Sequence, residues 1–198
     1  MREKIAYIAQ KLFFQSGTKA VSIDDIAHEL SIAKKTIYNF FESKDHIVRY
    51  LVDTHIERHH KYIDEIKEKS KNAIDELVMI YRMNCDQHET MKPIFISDIK
   101  KLYPECWADL ESFVGKVVPN CIRENIFRGQ QEGFYRENVN ADFISYLYFK
   151  SIFLQLEYFA IQKKLSIIDL DREHLYYHVH AIGTTKGIKY LEKIKFEN

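Results

Sequence analysis

The stretch from Ser22 to Lys44, SIDDIAHELSIAKKTIYNFFESK, constrains this chain more than any other. Its apolar residues recur at helical spacing, stop and resume, and each restart carries its own start signal. Ser22 is an N-cap whose hydroxyl can accept from the free amides one turn on, with Asp25 three residues later as the reciprocal partner of a capping box. Ile23, Ile26, Ala27 and Leu30 then share one face, Ser31 and Ile32 make a turn, and the spacing predicts a second short helix over Lys34 to Phe40. Ile37 and Phe41 point inward. Lys34, Lys35, Thr36, Tyr38 and Asn39 stay on the outer side, with no acid between Leu30 and Phe41, so the basic cluster reads as unopposed. Two lysines, a hydroxyl, a phenol and an amide on an exposed helix suit a groove whose walls are phosphates and whose floor is base edges. Ser43 caps the next helix and puts Lys44 in its first turn, where free amides and an ammonium together make an anion site.

The pattern Ile26-Ala27, then Ile32-Ala33-Lys34-Lys35-Thr36-Ile37-Tyr38, then Phe41-Glu42-Ser43-Lys44 resembles the helix-turn-helix signature of the tetracycline-repressor (TetR) family, from the N-terminus to about Tyr50. The resemblance implies an all-α fold, with a three-helix DNA-binding domain over residues 1–46 and a helical ligand-binding and dimerisation domain over 47–198. It implies that Thr36, Tyr38 and Lys44 contact the DNA backbone and that Lys34, Lys35 and Asn39 lie at or near the bases, with Ser22 joining them at the start of the first helix. It further implies a bacterial, cytoplasmic transcriptional regulator, a repressor in the first instance, that binds a duplex operator as a homodimer and is released by a small apolar effector. No enzyme activity, cofactor or membrane partner follows from it. Four positions depart from the pattern: Ser31 replaces a turn glycine, Ala33 a hydroxyl cap, Lys35 a common glycine and Phe40 a common histidine. A missing cap at Ala33 costs the second helix about 1 kcal/mol.

Overall charge adds nothing to this, because Lys plus Arg and Asp plus Glu both number 29 in the 198 residues, so the case rests on local distribution. With 46% apolar residues the chain can bury a substantial core. Cys85, Cys106 and Cys121 are odd in number and lack metal-type spacing, which fits reduced structural thiols. The opening MREKIAYIAQKLFF is too charged for a secretory signal, and the apolar run Phe143 to Ile161 is interrupted by Lys150 and Glu157, so a soluble protein is expected.

Further helices are predicted in order. Arg2 to Ser16 puts Ile5, Ile8, Ala9, Leu12 and Phe13 on one stripe before Gly17. From Lys44 one long helix continues through Ile47, Leu51, Ile56, Ile63 and Ile66 to the run KEKSKN, a rod with one end at the DNA. Ala73 to Thr90, Ile94 to Leu102 behind Pro93, and Pro104 to Gln131 follow, with a kink expected near Val117 because Pro119 lies inside the last. Phe143 to Lys163 is apolar around most of its circumference, and the final helix is expected from about Asp171 to Ile194. Gly183 and Gly187 would then sit mid-helix at roughly 1 kcal/mol each, a cost that close approach of a partner helix could offset. By the family resemblance the last two helices form a four-helix dimer interface, with Leu147, Leu154, Val179, Gly183, Gly187 and Tyr190 as candidates.

Aromatic residues make up 14% of the chain, and Tyr62, Tyr81, Phe95, Phe113, Phe149 and Phe153, with Cys85, are candidate ligand-binding residues; ordinary core packing explains the same pattern. His55 with His59, and His174 with His178, have the i, i+4 spacing that can bind a transition metal, but no acid or cysteine completes either set, so no metal is assigned. Cys85 with His88 lacks the surroundings of a catalytic pair. Two further readings stay open: a helical protein-interaction module that keeps the helix-turn-helix as scaffold, and a metal sensor using the histidine pairs.

Overall fold

The computed structural model describes residues 1–162 and 164–196, Gln87 by its backbone alone. Among the described residues the regular structure is helical: α1 (Arg2–Ser16), α2 (Ile23–Glu29), α3 (Lys34–Tyr38), α4 (Lys44–Lys69), α5 (Ala73–His88), α6 (Pro93–Leu102), α7 (Pro104–Gln131), α8 (Ala141–Ile161), α9 (Ile167–Ile182) and α10 (Thr185–Glu192). These pack as two compact units, Met1–His60 with Thr90–Ser112, and Lys61–Glu89 with Phe113–Asn198. Packing therefore does not divide the chain at residue 46. The helices α4 and α7 each pass from one unit to the other, and α6 joins the N-terminal unit.

In the first unit, Ile5, Ala9, Phe13, Ile26, Ile37, Phe41 and Ile47 form a core with Ile99 of α6. A carboxylate fixes α6 there. Asp98 is buried, and its Oδ2 accepts from the Lys19 amide at 2.9 Å and the Thr18 hydroxyl at 3.3 Å. Gly17 ends α1 with φ 79°, and a Cβ on it would stand 2.6 Å from Asp98 Oδ2, so both the left-handed backbone and the approach require glycine.

The second unit is built on Ile74, Leu77, Val78, Ile126, Leu175, Val179 and Leu191 around the buried ring of Tyr135. Burying that phenol is tolerable because its hydroxyl donates to Asn125 Oδ1 at 3.1 Å, and the Asn125 amide donates to Ala73 O at 2.8 Å. Its pKa is pushed well above the ordinary value by burial. Arg128 of α7 donates to Glu76 of α5 at 3.0 Å and to the Ser70 carbonyl at 2.9 Å, tying the α4–α5 turn down.

Several predicted boundaries shift. The second helix of the pair stops at Tyr38, not Phe40, and α7 runs through Pro119 as one helix. The α8 helix covers Ala141–Ile161; Lys163, the expected end, lies outside the described residues. The single final helix over Asp171 to Ile194 is corrected to two. Gly183 is extended (φ −69°, ψ 153°) and pairs with Tyr135 in an antiparallel bridge, Arg136 N donating to Ile182 O at 3.0 Å and Thr184 N to Phe134 O at 2.9 Å. Backbone bonds to the 134–136 segment thus replace the helical ones, and Thr184 caps α10 by accepting from Gly187 N. Gly187 is glycine because a Cβ there would stand 2.3 Å from the Phe134 carbonyl oxygen.

Candidate nucleic-acid interface

The site begins with the α2 cap. Ser22 Oγ accepts from Asp25 N at 3.2 Å and donates to Asp25 Oδ2 at 2.6 Å, while Ser22 N donates to the same oxygen at 2.7 Å. These bonds close the predicted capping box and hold the Asp25 carboxyl below the usual range. The turn out of α2 passes through Ser31 at φ 53°, the left-handed region that suits the missing glycine. Ile32 N donates to Ala27 O at 3.0 Å and locks the turn. Ala33 gives α3 no side-chain cap, and Thr36 N donates to the Ala33 carbonyl instead.

Ile37 and Phe41 are buried at 0% and 1%, which rolls the opposite side of α3 outward. Lys34, Lys35, Tyr38 and Asn39 are exposed there, and Thr36 is half-buried. Arg2 of α1 lies over the rings of Phe41 and Tyr50, 5.1 and 4.6 Å from their centroids, joining the start of α1 to the α3–α4 turn. That turn closes through Glu42 N donating to His46 Nδ1 at 3.3 Å and His46 N to Ser43 Oγ at 3.1 Å, so Ser43 caps α4 as expected.

Two lysines are engaged within the chain. The expectation of an unopposed cluster fails at Lys34, whose ammonium lies 2.8 Å from Asp24 Oδ2, a bond that raises the lysine pKa. Lys44 Nζ donates to the carbonyls of Thr18 and Val21 at 2.9 and 3.1 Å, clamping the α1–α2 loop to the start of α4. Sequence reasoning missed Asp24, Arg2 and His46. Asp24 stands ten residues before Lys34, across a turn, where helical spacing gives no pairing signal.

The other candidate residues fall in both units. Phe95 belongs to the first unit, its ring 4.6 Å from Phe14, whereas Tyr81 and Cys85 pack in the second unit's core. Tyr62 is exposed, and Phe149 meets Phe153 edge to face at 5.5 Å beside Gly115, in the same unit as Phe113. Of the expected dimer residues, Leu147 and Leu154 are exposed on α8. Val179, Gly183 and Gly187 are buried within the chain's own second unit, where the glycines meet its backbone, and Tyr190 meets Phe134 edge to face at 5.3 Å. The surface of α8 carries Phe143, Tyr146, Leu147, Leu154, Tyr158 and Ile161, all exposed, Ile161 at 80%. Among the described residues no three His, Cys, Asp or Glu side chains stand close enough to share a metal, and no helix is long and apolar enough to cross a membrane.

Residues 8–51, which hold the later part of α1, all of α2 and α3 and the start of α4, match the family model described as bacterial regulatory proteins, tetR family. The chain's N-terminal segment matches the TetR family over those residues. Among curated proteins the chain is similar to the uncharacterised HTH-type transcriptional regulator YvaF of Bacillus subtilis, 22% identical over 160 residues, 77% of this chain and 79% of that protein. Among solved structures it shares its fold with a TetR-family transcriptional regulator from Agrobacterium tumefaciens, at a TM-score of 0.71 and 15% identity, over 92% of this chain and 97% of that one. Transcriptional regulator FadR of Bacillus subtilis, solved in complex with stearoyl-CoA, superposes with a TM-score of 0.64 at 16% identity, over 90% of this chain and 98% of that one. The Bacillus subtilis relative and both of these solved structures are described as transcriptional regulators.

Proposed function

We propose that the protein is a cytoplasmic, ligand-responsive repressor that binds a pseudo-palindromic operator as a homodimer through the outer face of α3. The observation that carries this is that face itself: Lys34, Lys35, Tyr38 and Asn39 exposed on a short helix seated by buried Ile37 and Phe41. Lys35, Thr36, Tyr38 and Asn39 reach the DNA directly; Lys34 does so after leaving Asp24. Ser22 supports the face through its cap. Lys44 acts chiefly by holding the α1–α2 loop, with one ammonium proton left for a phosphate.

The exposed stripe on α8 supports pairing of two copies, since six large apolar side chains in water on one helix are costly unless covered. Leu147 and Leu154 lie on that stripe. The effector is a small, mainly apolar molecule held by the second unit, and FadR with its bound stearoyl-CoA is a precedent of the same fold. The helices α4 and α7, shared by both units, give a bound molecule continuous backbone through which to bias the reading head.

The test is binding of the full chain to sheared bacterial genomic DNA, followed against salt. The expected result is affinity falling steeply as salt rises, with a marked loss in a Lys34→Ala, Lys35→Ala variant that keeps its helical circular dichroism. Equal binding by the variant at every salt concentration would refute the DNA reading and favour the interaction-module alternative.

A further inference from the structure

Two rows of polar side chains face each other inside the second unit. On α9, Asp171, His174 and His178 recur at i, i+3 and i+7, and on α8, Tyr148, Ser151 and Gln155 do the same. They pair in antiparallel order. Gln155 Nε2 donates to Asp171 Oδ1, Ser151 Oγ meets His174 Nε2 at 2.6 Å, and the Tyr148 ring stacks on His174 at 4.4 Å and meets His178 edge-on at 4.8 Å. The Ser151 hydroxyl directs its single proton to the Tyr148 carbonyl at 2.7 Å, so His174 donates to Oγ from Nε2.

The row is satisfied at every step except the innermost. Asp171, Gln155, Ser151 and His174 are half-buried, whereas His178 is 5% exposed and its Nε2, inside the unit, has no hydrogen-bond partner. An orphaned ring nitrogen in an apolar core is costly, a reason for it to be replaced by an apolar residue unless something else bonds to it.

Resting on the reading of the second unit as the effector-binding part, we infer that His178 is the polar anchor of a buried ligand subsite between α8 and α9, which takes an uncharged, mainly apolar molecule carrying one hydroxyl. Burial pushes the His178 pKa down to about 3 and that of His174 to about 4, so both imidazoles are neutral at physiological pH. A neutral ring offers an anion no countercharge, and the carboxylate two turns away on the same stripe repels one. The preference is therefore for a hydroxyl over a carboxylate.

The experiment compares phenol, benzene and benzoate as probes of the full chain, by calorimetry and by the imidazole 15N resonances of His178. The expected result is phenol binding about tenfold more tightly than benzene, with benzoate weakest and the His178 resonances moving on phenol addition. In His178→Phe, which keeps a ring against Tyr148, the phenol preference over benzene falls to near unity. If that variant does not fold, the 15N shifts of the wild-type chain decide. Equal binding of phenol and benzene, absence of binding by all three, unmoved His178 resonances or a preference for benzoate would each overturn the subsite. Duplex binding measured on the same preparation separates the two readings: a chain that binds DNA but fails the phenol test loses the subsite alone.

Discussion

The Lys34 ammonium and the Asp24 carboxylate, 2.8 Å apart, join the recognition helix to the helix before it. In the proposed complex Asp24 would compete with phosphate for the Lys34 ammonium and add a like charge beside the DNA backbone. Replacing it with asparagine removes a competitor and a repulsive charge together. Asp24→Asn is expected to tighten duplex binding several-fold at low salt, with the gain shrinking as salt rises, by fluorescence anisotropy. Unchanged affinity would place Lys34 outside the DNA contact.

Much of the reading head was legible because its signals are local. The Ser22–Asp25 box, the inward Ile37 and Phe41 and the Ser43 cap each rest on neighbours within one helical turn, and each is found. The Asp24–Lys34 and Lys44–Thr18 bonds cross turns, where periodicity is silent. Joining α6 to the first unit depends on Asp98 reaching residues some eighty positions earlier. The break at Gly183 was misread because a glycine in an apolar pattern looks the same whether it admits a neighbour's backbone or ends a helix. Here the 134–136 segment decided it.

Lys44 holds two loop carbonyls, so its loss is felt without DNA. Lys44→Met is expected to lower the unfolding free energy of the free chain by about 1–3 kcal/mol, measured by denaturant titration, as well as weakening duplex binding. A variant with full stability and lost DNA affinity would make Lys44 a phosphate contact only.

Gly187 meets the Phe134 carbonyl of its own chain. Gly187→Ala must displace α10 from that turn and is expected to cost about 2–4 kcal/mol, with a loss that does not depend on protein concentration. A melting temperature that falls only at low concentration would instead assign the glycine to the contact between copies.

Asp171 is pushed up to about 6 by burial, against an opposing bond from Gln155. The folded state binds this proton more tightly than the unfolded chain, so its contribution is complete below about pH 4 and is lost as pH rises through about 6. Asp171→Asn is therefore expected to raise stability at pH 8 by up to about 3 kcal/mol relative to the parent, with the difference vanishing near pH 4. Thermal melts of both proteins across that range check it; a variant less stable at pH 8 would mean the carboxylate is compensated there.

In the proposed dimer two copies of α3 are held so as to enter neighbouring major grooves of one duplex. Selection of bound duplexes from a random pool tests this most directly. The predicted result is a pseudo-palindrome with half-site centres about one helical turn or a small multiple of it apart, lost in the Lys34→Ala, Lys35→Ala variant. A pool that shows no enriched sequence, or one enriched equally by that variant, would contradict it.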